Sequence, residues 1–403
     1  MKICIINHSD TRGGASVVSR RLMHAFRDLG HDATMLVTHR ESDDPYVFQA
    51  ASSMRAKLPF LAEHLRLFAA CGFSKRDIFS ISIASDGLPL SRHPLVREAD
   101  AVILNWVNQG MLSLDEIRRI ASMKKTVWTM HDMWNLTAVC HHAGDCTQFA
   151  SEPPCASCPI LARKSVATRT IELKNALYDD VPMSFVAVSS WLAAKAAESI
   201  LMKGRRVSVI PNAFPVEEFR IEPRTTRAAL GLPEGKKLIV MGAARLDDPV
   251  KGLGMAVEIF NNLRRDDAVA VFYGNIKNPA ALSDLRFPYV HLGIIPQERV
   301  RELYSHAEVV VSTSLYETLP GTIVEGMASG CTPVCFDSGG QRDIVSESRL
   351  GYLIPPYDTL AFVKAVNAAL DNPLNPCLLR KHIRERFASA VIARHYLDLI
   401  SAE

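Results

Sequence analysis

Short apolar runs recur along the chain, each followed by a polar turn and then by a segment with helical spacing. In the first half, Lys2–Asn7, Ala33–Val37, Ala101–Leu104, Lys125–Met130, Ser184–Val188 and Val207–Ile210 read as strands. In the second half, Leu238–Gly242, Val269–Tyr273, Val290–Leu292, Val309–Val311, Thr332–Phe336 and Tyr352–Ile354 do the same. Between them lie helical patterns. Ser16–Leu29 sets Val17, Leu22 and Phe26 on one face and is closed by Gly30; Thr170–Leu177, Trp191–Ile200, Met255–Leu263, Pro296–His306, Asp358–Leu370 and the long Leu378–Ile400 follow. Strand–helix alternation throughout predicts an α/β protein whose parallel sheets are covered by helices on both faces.

A chain of 403 residues exceeds what one core usually supports, so two domains are expected. Proline clusters around Pro211–Leu232, which reads as the crossing between them. The predicted organisation is a domain over 1–210, a second over 211–375 and a C-terminal helix over 376–403. Residues are 48% hydrophobic and 22% charged, ordinary for a globular protein. A net charge of +3 gives no reason to invoke nucleic acid, but suits an anionic ligand or a loose contact with anionic lipid. No run of eighteen apolar residues occurs, and Met1–Ile6 is too short an apolar run for a signal peptide, so the expected location is the cytoplasm. Within 50–95, Leu58, Phe60, Leu61, Leu65, Leu67 and Phe68 mix with Lys57, Arg66, Lys75 and Arg76. This basic amphipathic stretch reads either as surface helices packed on the domain or as a face for an acceptor lipid or the inner face of the cell membrane.

Nine cysteines is a high count for a cytoplasmic chain. Cys140, Cys146, Cys155 and Cys158 follow a Cys-x5-Cys-x8-Cys-x2-Cys spacing inside an irregular loop over 140–158. Such a set allows a structural zinc, with His141 and His142 as substitutes; the alternative is a reduced or disulfide-bonded loop without metal.

The chemistry concentrates at strand ends, where open α/β sheets bind ligands. Gly13–Gly14 follows the first strand, and His131–Asp132 follows Met130. Arg245 and Lys251 share one loop after the strand at 238–242. Beyond Val309–Val311 come Glu317, Pro320, Gly321, Thr322 and Glu325. Pro320 suits a helix's first turn, and the amides of Gly321, Thr322 and Ile323 would then face an anion such as a phosphate. Two cations beside a helix N-terminus can hold a diphosphate without a metal. A carboxylate at Glu325 suits a vicinal diol.

The ordered set Gly13–Gly14, His131–Asp132, Pro211–Asn212, Arg245/Lys251, Glu317-x7-Glu325 and Gly339–Gly340 resembles the retaining glycosyltransferases of family 4, and the resemblance spans nearly the whole chain. The Trp128–Trp134 and Cys-rich stretches resemble bacterial members that build capsule, exopolysaccharide or lipopolysaccharide. The resemblance implies a GT-B fold, with two Rossmann-like domains facing across a cleft and the C-terminal helix crossing back to the first. It implies transfer of a sugar from a UDP- or GDP-sugar, with retention, to a hydroxyl of a glycan or polyprenyl-linked acceptor. No cofactor would be required for catalysis. Arg245 and Lys251 would neutralise the leaving diphosphate. Glu317 and His131 would contact the donor sugar. Glu325, Gly321, Thr322, Gly293, Gly13 and Gly14 would bind the donor. Ala213 stands where the family usually has glycine after Pro211–Asn212, which leaves that contact open. A sugar 2-epimerase of the same fold and a non-catalytic relative are the competing readings.

Overall fold

The apolar runs pair as parallel strands throughout. In the computed structural model, which describes residues 1–402, they build two sheets in two separate units: residues 1–213 joined by the segment from Ile392 onward, and residues 214–391.

The first unit holds β1 (Lys2–Ser9), α1 (Gly14–Asp28), β2 (Asp32–His39), β3 (Val47–Gln49), α2 (Ser53–Ala70), α3 (Pro94–Glu98), β4 (Ala101–Leu104), α4 (Leu114–Ala121), β5 (Lys125–Met130), α5 (Lys164–Asp180), β6 (Ser184–Ala187), α6 (Ser190–Glu198) and β7 (Val207–Val209). Its strands lie in the order β3-β2-β1-β4-β5-β6-β7. The chain winds outward from β1 on one side, then returns to its other side at β4. The crevice where ligands enter such sheets therefore opens beyond β1 and β4. Strand β4 is buried at every position, as a sheet covered on both faces requires. α1 packs through Val18, Leu22, Met23 and Phe26, so its buried face passes through Val18, with Val17 at the margin. The helix expected at Thr170–Leu177 is longer, spanning Lys164–Asp180.

The second unit holds β8 (Lys237–Arg245), α7 (Leu253–Asn262), β9 (Ala268–Asn275), β10 (Tyr289–His291), α8 (Gln297–Ser305), β11 (Val309–Ser312), α9 (Gly321–Ala328), β12 (Thr332–Phe336), α10 (Gln341–Ile344), β13 (Tyr352–Ile354), α11 (Thr359–Asp371) and α12 (Pro376–Phe387). Its order, β10-β9-β8-β11-β12-β13, repeats the logic: β8 comes first, with β9 and β11 on either side. Ile239, Phe260, Phe272, Val311, Phe336 and Phe362 form the core between sheet and helices.

The long helix expected over Leu378–Ile400 is two helices. Ala388 leaves the helical region (φ −58°, ψ 139°), because Phe214 pairs with it as in a strand. The Phe214 amide donates to Phe387 O (2.9 Å) and the Ser389 amide to Phe214 O (3.0 Å). α12 thus stays with the second unit, and α13 (Ser389–Ser401) packs from Ile392 onward on the first sheet. There Ile392, Tyr396 and Ile400 are buried beside Ile5, Phe26 and Val127, and Tyr396 Oη shares a hydrogen bond with Thr129 Oγ1 (2.8 Å). Each such side chain contributes about 1.5–3 kcal/mol on burial.

Candidate functional site

In the second unit the predicted residues gather at the C-terminal ends of β8 and β11. Arg245 ends β8, and its Nε donates to Asp247 Oδ1 (3.0 Å). The other Asp247 oxygen accepts the amides of Lys277 (3.0 Å) and Asn278 (2.9 Å), which fixes the loop after β9 to the loop after β8. Desolvation pushes the Asp247 carboxyl up, but those amides and the Arg245 guanidinium together hold it below its ordinary value. Arg245 keeps 43% of its side chain exposed, so its remaining donors face outward.

Lys251 lies one turn further on. Its Nζ donates to Glu317 Oε1 (2.5 Å), which also accepts from Ser314 Oγ (3.0 Å). Thr313 Oγ1 donates to the carbonyls of Lys251 (3.0 Å) and Gly252 (3.1 Å), and the Leu315 amide donates to Val250 O (2.8 Å). The loops after β8 and β11 are thereby one body. Gly252 makes this approach possible: it sits at φ +67°, and a Cβ there would lie 2.2 Å from Thr313 O. Gly339 plays the same part on the other side. A Cβ on it would fall 1.9 Å from Glu317 O, and the neighbouring Gly340 amide donates to that oxygen (2.9 Å).

Pro320 is the N-cap of α9 rather than a residue of its first turn, and Gly321 opens the helix. Gly321, Thr322 and Ile323 therefore present the amides that a helix leaves without internal partners. Glu325 is buried one turn on, at 8% exposure, and accepts from Gln297 Nε2 at the start of α8 (3.3 Å). Gly293 follows the edge strand β10. Its carbonyl accepts the Gly274 amide (2.7 Å), which places it two strands from β8.

In the first unit Gly13 is the N-cap of α1 at φ +83°, and neither Gly13 nor Gly14 has an atom within 4 Å of where a Cβ would stand. Asn7 at the end of β1 holds the surroundings together. Its side chain donates to Ser9 O (2.6 Å) and Ser16 Oγ (3.0 Å) and accepts the Trp106 amide (2.9 Å). His131 follows β5. Its Nε2 bonds Asn105 Oδ1 (2.7 Å); an amide oxygen only accepts, so that nitrogen carries the proton. Burial pushes the ring down to about 4 against the pull of Asp132, so it is neutral at physiological pH. His131 lines a small recess with Asn105, Val18 and Ser19 of α1, Pro211, Asn212 and Tyr396.

Asp132, read with His131 as a strand-end pair, faces inward. Its Oδ2 accepts from Trp106 Nε1 (2.9 Å) and pairs with His141 Nδ1 (2.7 Å), and its Oδ1 accepts the Trp134 amide (2.8 Å). His141 Nε2 meets Ser82 Oγ (3.1 Å). This Asp–His–Ser chain is buried at each member, so it braces the segment that carries His131 and has no solvent-facing nucleophile.

The four-cysteine zinc site is not assembled. Among the described residues no group of three or more His, Cys, Asp or Glu is placed to hold a metal ion. Cys140 and Cys158 hydrogen-bond to each other, and that bond together with the amides of Leu161 and Ile160 pulls the Cys158 thiol below its ordinary value. Cys155 Sγ accepts the Ala138 amide (3.4 Å), and all nine cysteines are free thiols. Lys174 completes the loop's anchoring: it is fully buried, donates to Trp134 O (2.5 Å) and Thr137 O (3.0 Å), and stands 3.4 Å over the Trp134 ring.

Residues 223–389 match the family described as glycosyl transferases group 1. That segment is a group 1 glycosyl transferase domain. It contains Arg245, Lys251, Gly293, Glu317, Gly321, Thr322 and Glu325. TuaC of Bacillus subtilis (strain 168), provisionally named a teichuronic acid biosynthesis glycosyltransferase, is 27% identical over 184 residues, 45% of this chain and 45% of that protein. The chain spans about half the length of the curated relatives it matches. Among solved structures, sucrose-phosphate synthase from Thermosynechococcus elongatus aligns with a TM-score of 0.68 at 18% identity, over 100% of this chain and 99% of that one. Anabaena Alr3699/HepE in complex with UDP-glucose aligns at 0.63 and 16% identity over 100% of both chains. These likenesses establish the GT-B fold around the group 1 domain.

Proposed function

We propose that this protein is a retaining glycosyltransferase that moves a sugar from a UDP- or GDP-sugar to a hydroxyl of a glycan or polyprenyl-linked acceptor, in the synthesis of a surface polysaccharide. The observation that carries the reading is the Lys251–Glu317 pair at the switch point of the second sheet, inside the group 1 domain and beside Arg245. The UDP-glucose held by the like-folded Alr3699/HepE and the polysaccharide role in TuaC's name favour this donor and pathway class.

In this reading the diphosphate meets Arg245, Lys251 and the first amides of α9. Charge builds on the leaving phosphate as the glycosidic bond breaks, and preorganised donors stabilise it without reorganisation. These cations take the part a divalent ion has in other transferases. Glu317 holds Lys251 extended toward the phosphate and can accept a sugar hydroxyl. Glu325, with Gln297 fixing one oxygen, receives the ribose diol. Gly13, Gly14 and a neutral His131 are assigned to the donor's phosphate and sugar. The acceptor would attack from the face the diphosphate leaves, since no carboxylate is assigned as nucleophile, and this gives retention.

The epimerase reading needs an acid partner for His131, and Asp132 is committed to Trp106, Trp134 and His141. A panel of UDP- and GDP-sugars, read by nucleotide release and by the anomeric configuration of the product, tests the proposal. Transfer with an inverted anomer would overturn the retaining assignment, and isomerised free donor would replace transfer with epimerisation.

A further inference from the structure

Helix α2 carries apolar side chains on both of its faces. Its inner face buries Glu63, which accepts the amides of Ile83 (2.9 Å), Ala84 (2.8 Å) and Gly110 (2.6 Å), and His64, whose Nδ1 meets Phe60 O (2.8 Å). That face also buries Ala56, Leu67 and Ala70, while the outer face carries three further leucines and a methionine. Met54 is 79% exposed, Leu58 66%, Leu61 59% and Leu65 70%. Their spacing at i, i+4, i+7 and i+11 puts all four on one stripe along the helix. Phe73, 67% exposed just past the helix end, joins the stripe by an edge contact to Phe68 (5.5 Å between centroids). Phe73 holds φ +65°, a conformation a bulky side chain rarely adopts, so the backbone is strained where an aromatic is turned to solvent. A helix packed on its domain for stability alone would turn these side chains inward.

Cations flank the stripe on both sides. At 100° per residue, Arg55 and Arg66 fall along one margin and Lys57 along the other, with Lys75 and Arg76 beside Phe73. Arg66 is paired with Asp86; the only carboxylate within the helix is the buried Glu63. An apolar centre between two basic margins is complementary to a bilayer with anionic headgroups: leucines enter the acyl boundary while the cations remain at the phosphates. A second copy docking through the same stripe would set these like charges against one another. No helix among the described residues is long and apolar enough to cross a membrane, so the contact is peripheral.

We propose that the outer face of α2, with Phe73, is a docking surface for an anionic lipid bilayer. Met54, Leu58, Leu61 and Leu65 supply the inserted edge; Arg55, Lys57, Lys75 and Arg76 supply the preference for anionic headgroups. The surface lies outside the donor site and its test reads no turnover, so it stands or falls apart from the transferase reading.

The test is flotation of the full chain with phosphatidylcholine vesicles and with vesicles that also contain phosphatidylglycerol. The expected result is recovery with the anionic vesicles, weakened by salt, and little with the neutral ones. Leu58→Ser, Leu61→Ser and Leu65→Ser combined should lower the bound fraction's partition constant about tenfold or more. Arg55→Glu with Lys57→Glu should remove the preference for anionic vesicles. Unchanged melting temperatures would confirm that these exposed substitutions leave the fold intact. The proposal is overturned if the parent stays with the unbound fraction in anionic vesicles, if the triple variant floats like the parent, or if the stripe mediates self-association that the triple variant abolishes.

Discussion

Lys251 and Glu317 make a partly exposed ion pair, a kind that contributes little to folding, about 0–1 kcal/mol. If Lys251 stabilises a departing diphosphate, removing it costs far more in the transition state than in the fold. We predict that Lys251→Met lowers kcat by about 10²–10³, or about 2.7–4 kcal/mol, while the melting temperature barely moves. Parallel losses of stability and rate would reassign the pair to structure. His131 makes a second prediction. Its folded ring resists a proton down to about 4, whereas an unfolded ring takes one near 6.5. Between those values the unfolded state binds more protons, so stability is full above pH 6.5 and falls as pH drops toward 4. His8 is shifted down to about 4 in the same direction, chiefly by burial. Each contributes about 3 kcal/mol to that acid loss. Melting curves across this range should be flatter for His131→Asn than for the parent; an identical slope would show that the ring titrates normally.

At the scale of elements, the strands were legible because parallel sheets buried on both faces leave unbroken apolar runs, as at Ala101–Leu104 and Val309–Val311. The break at Ala388 was not: its cause is Phe214, far away in the chain, and no local signal at Phe387–Ser389 announces it. That Arg245, Lys251, Glu317 and Glu325 fall at strand ends of the second unit was legible from the sequence, but their partners were not. Gln297 beside Glu325, and Ser314 beside Glu317, are ordinary polar residues until the fold brings them close. The cysteine spacing left a metal and a metal-free loop both open, because spacing says nothing of where thiols turn. Glycine gives the sharpest element-level prediction. Gly252→Ala must place a Cβ 2.2 Å from Thr313 O at φ +67°, so the loop has to shift. We predict a loss of more than about 1 kcal/mol by urea unfolding, with a larger fractional loss of donor affinity. Unchanged stability would mean the two loops are not coupled as described. Glu63→Ala, which strands three buried amides, should cost about 3 kcal/mol or more by the same measurement.

Across the whole molecule, the same winding appears twice. In each unit the first strand lies centrally; Gly13 and Gly14 follow it in the first unit and His131 follows β5, while in the second Arg245 and Lys251 follow β8 and Glu317 follows its neighbour β11. The chain also returns: α13 covers the first sheet after α12 has finished the second unit. Truncation before Ile392 should therefore expose Phe26, Val127 and Thr129 in the first unit and lower its melting temperature. A single transition of unchanged midpoint would contradict that packing. In the proposed reaction the C-terminal edge of the second sheet holds a nucleotide-sugar diphosphate. The most direct measurement is nucleotide release from UDP- and GDP-sugars by the parent and by Lys251→Met, at matched folded concentration. We predict steady release from at least one donor by the parent and a fall of about 10²–10³ in the variant. Release from no donor, or equal release by both proteins, would contradict it.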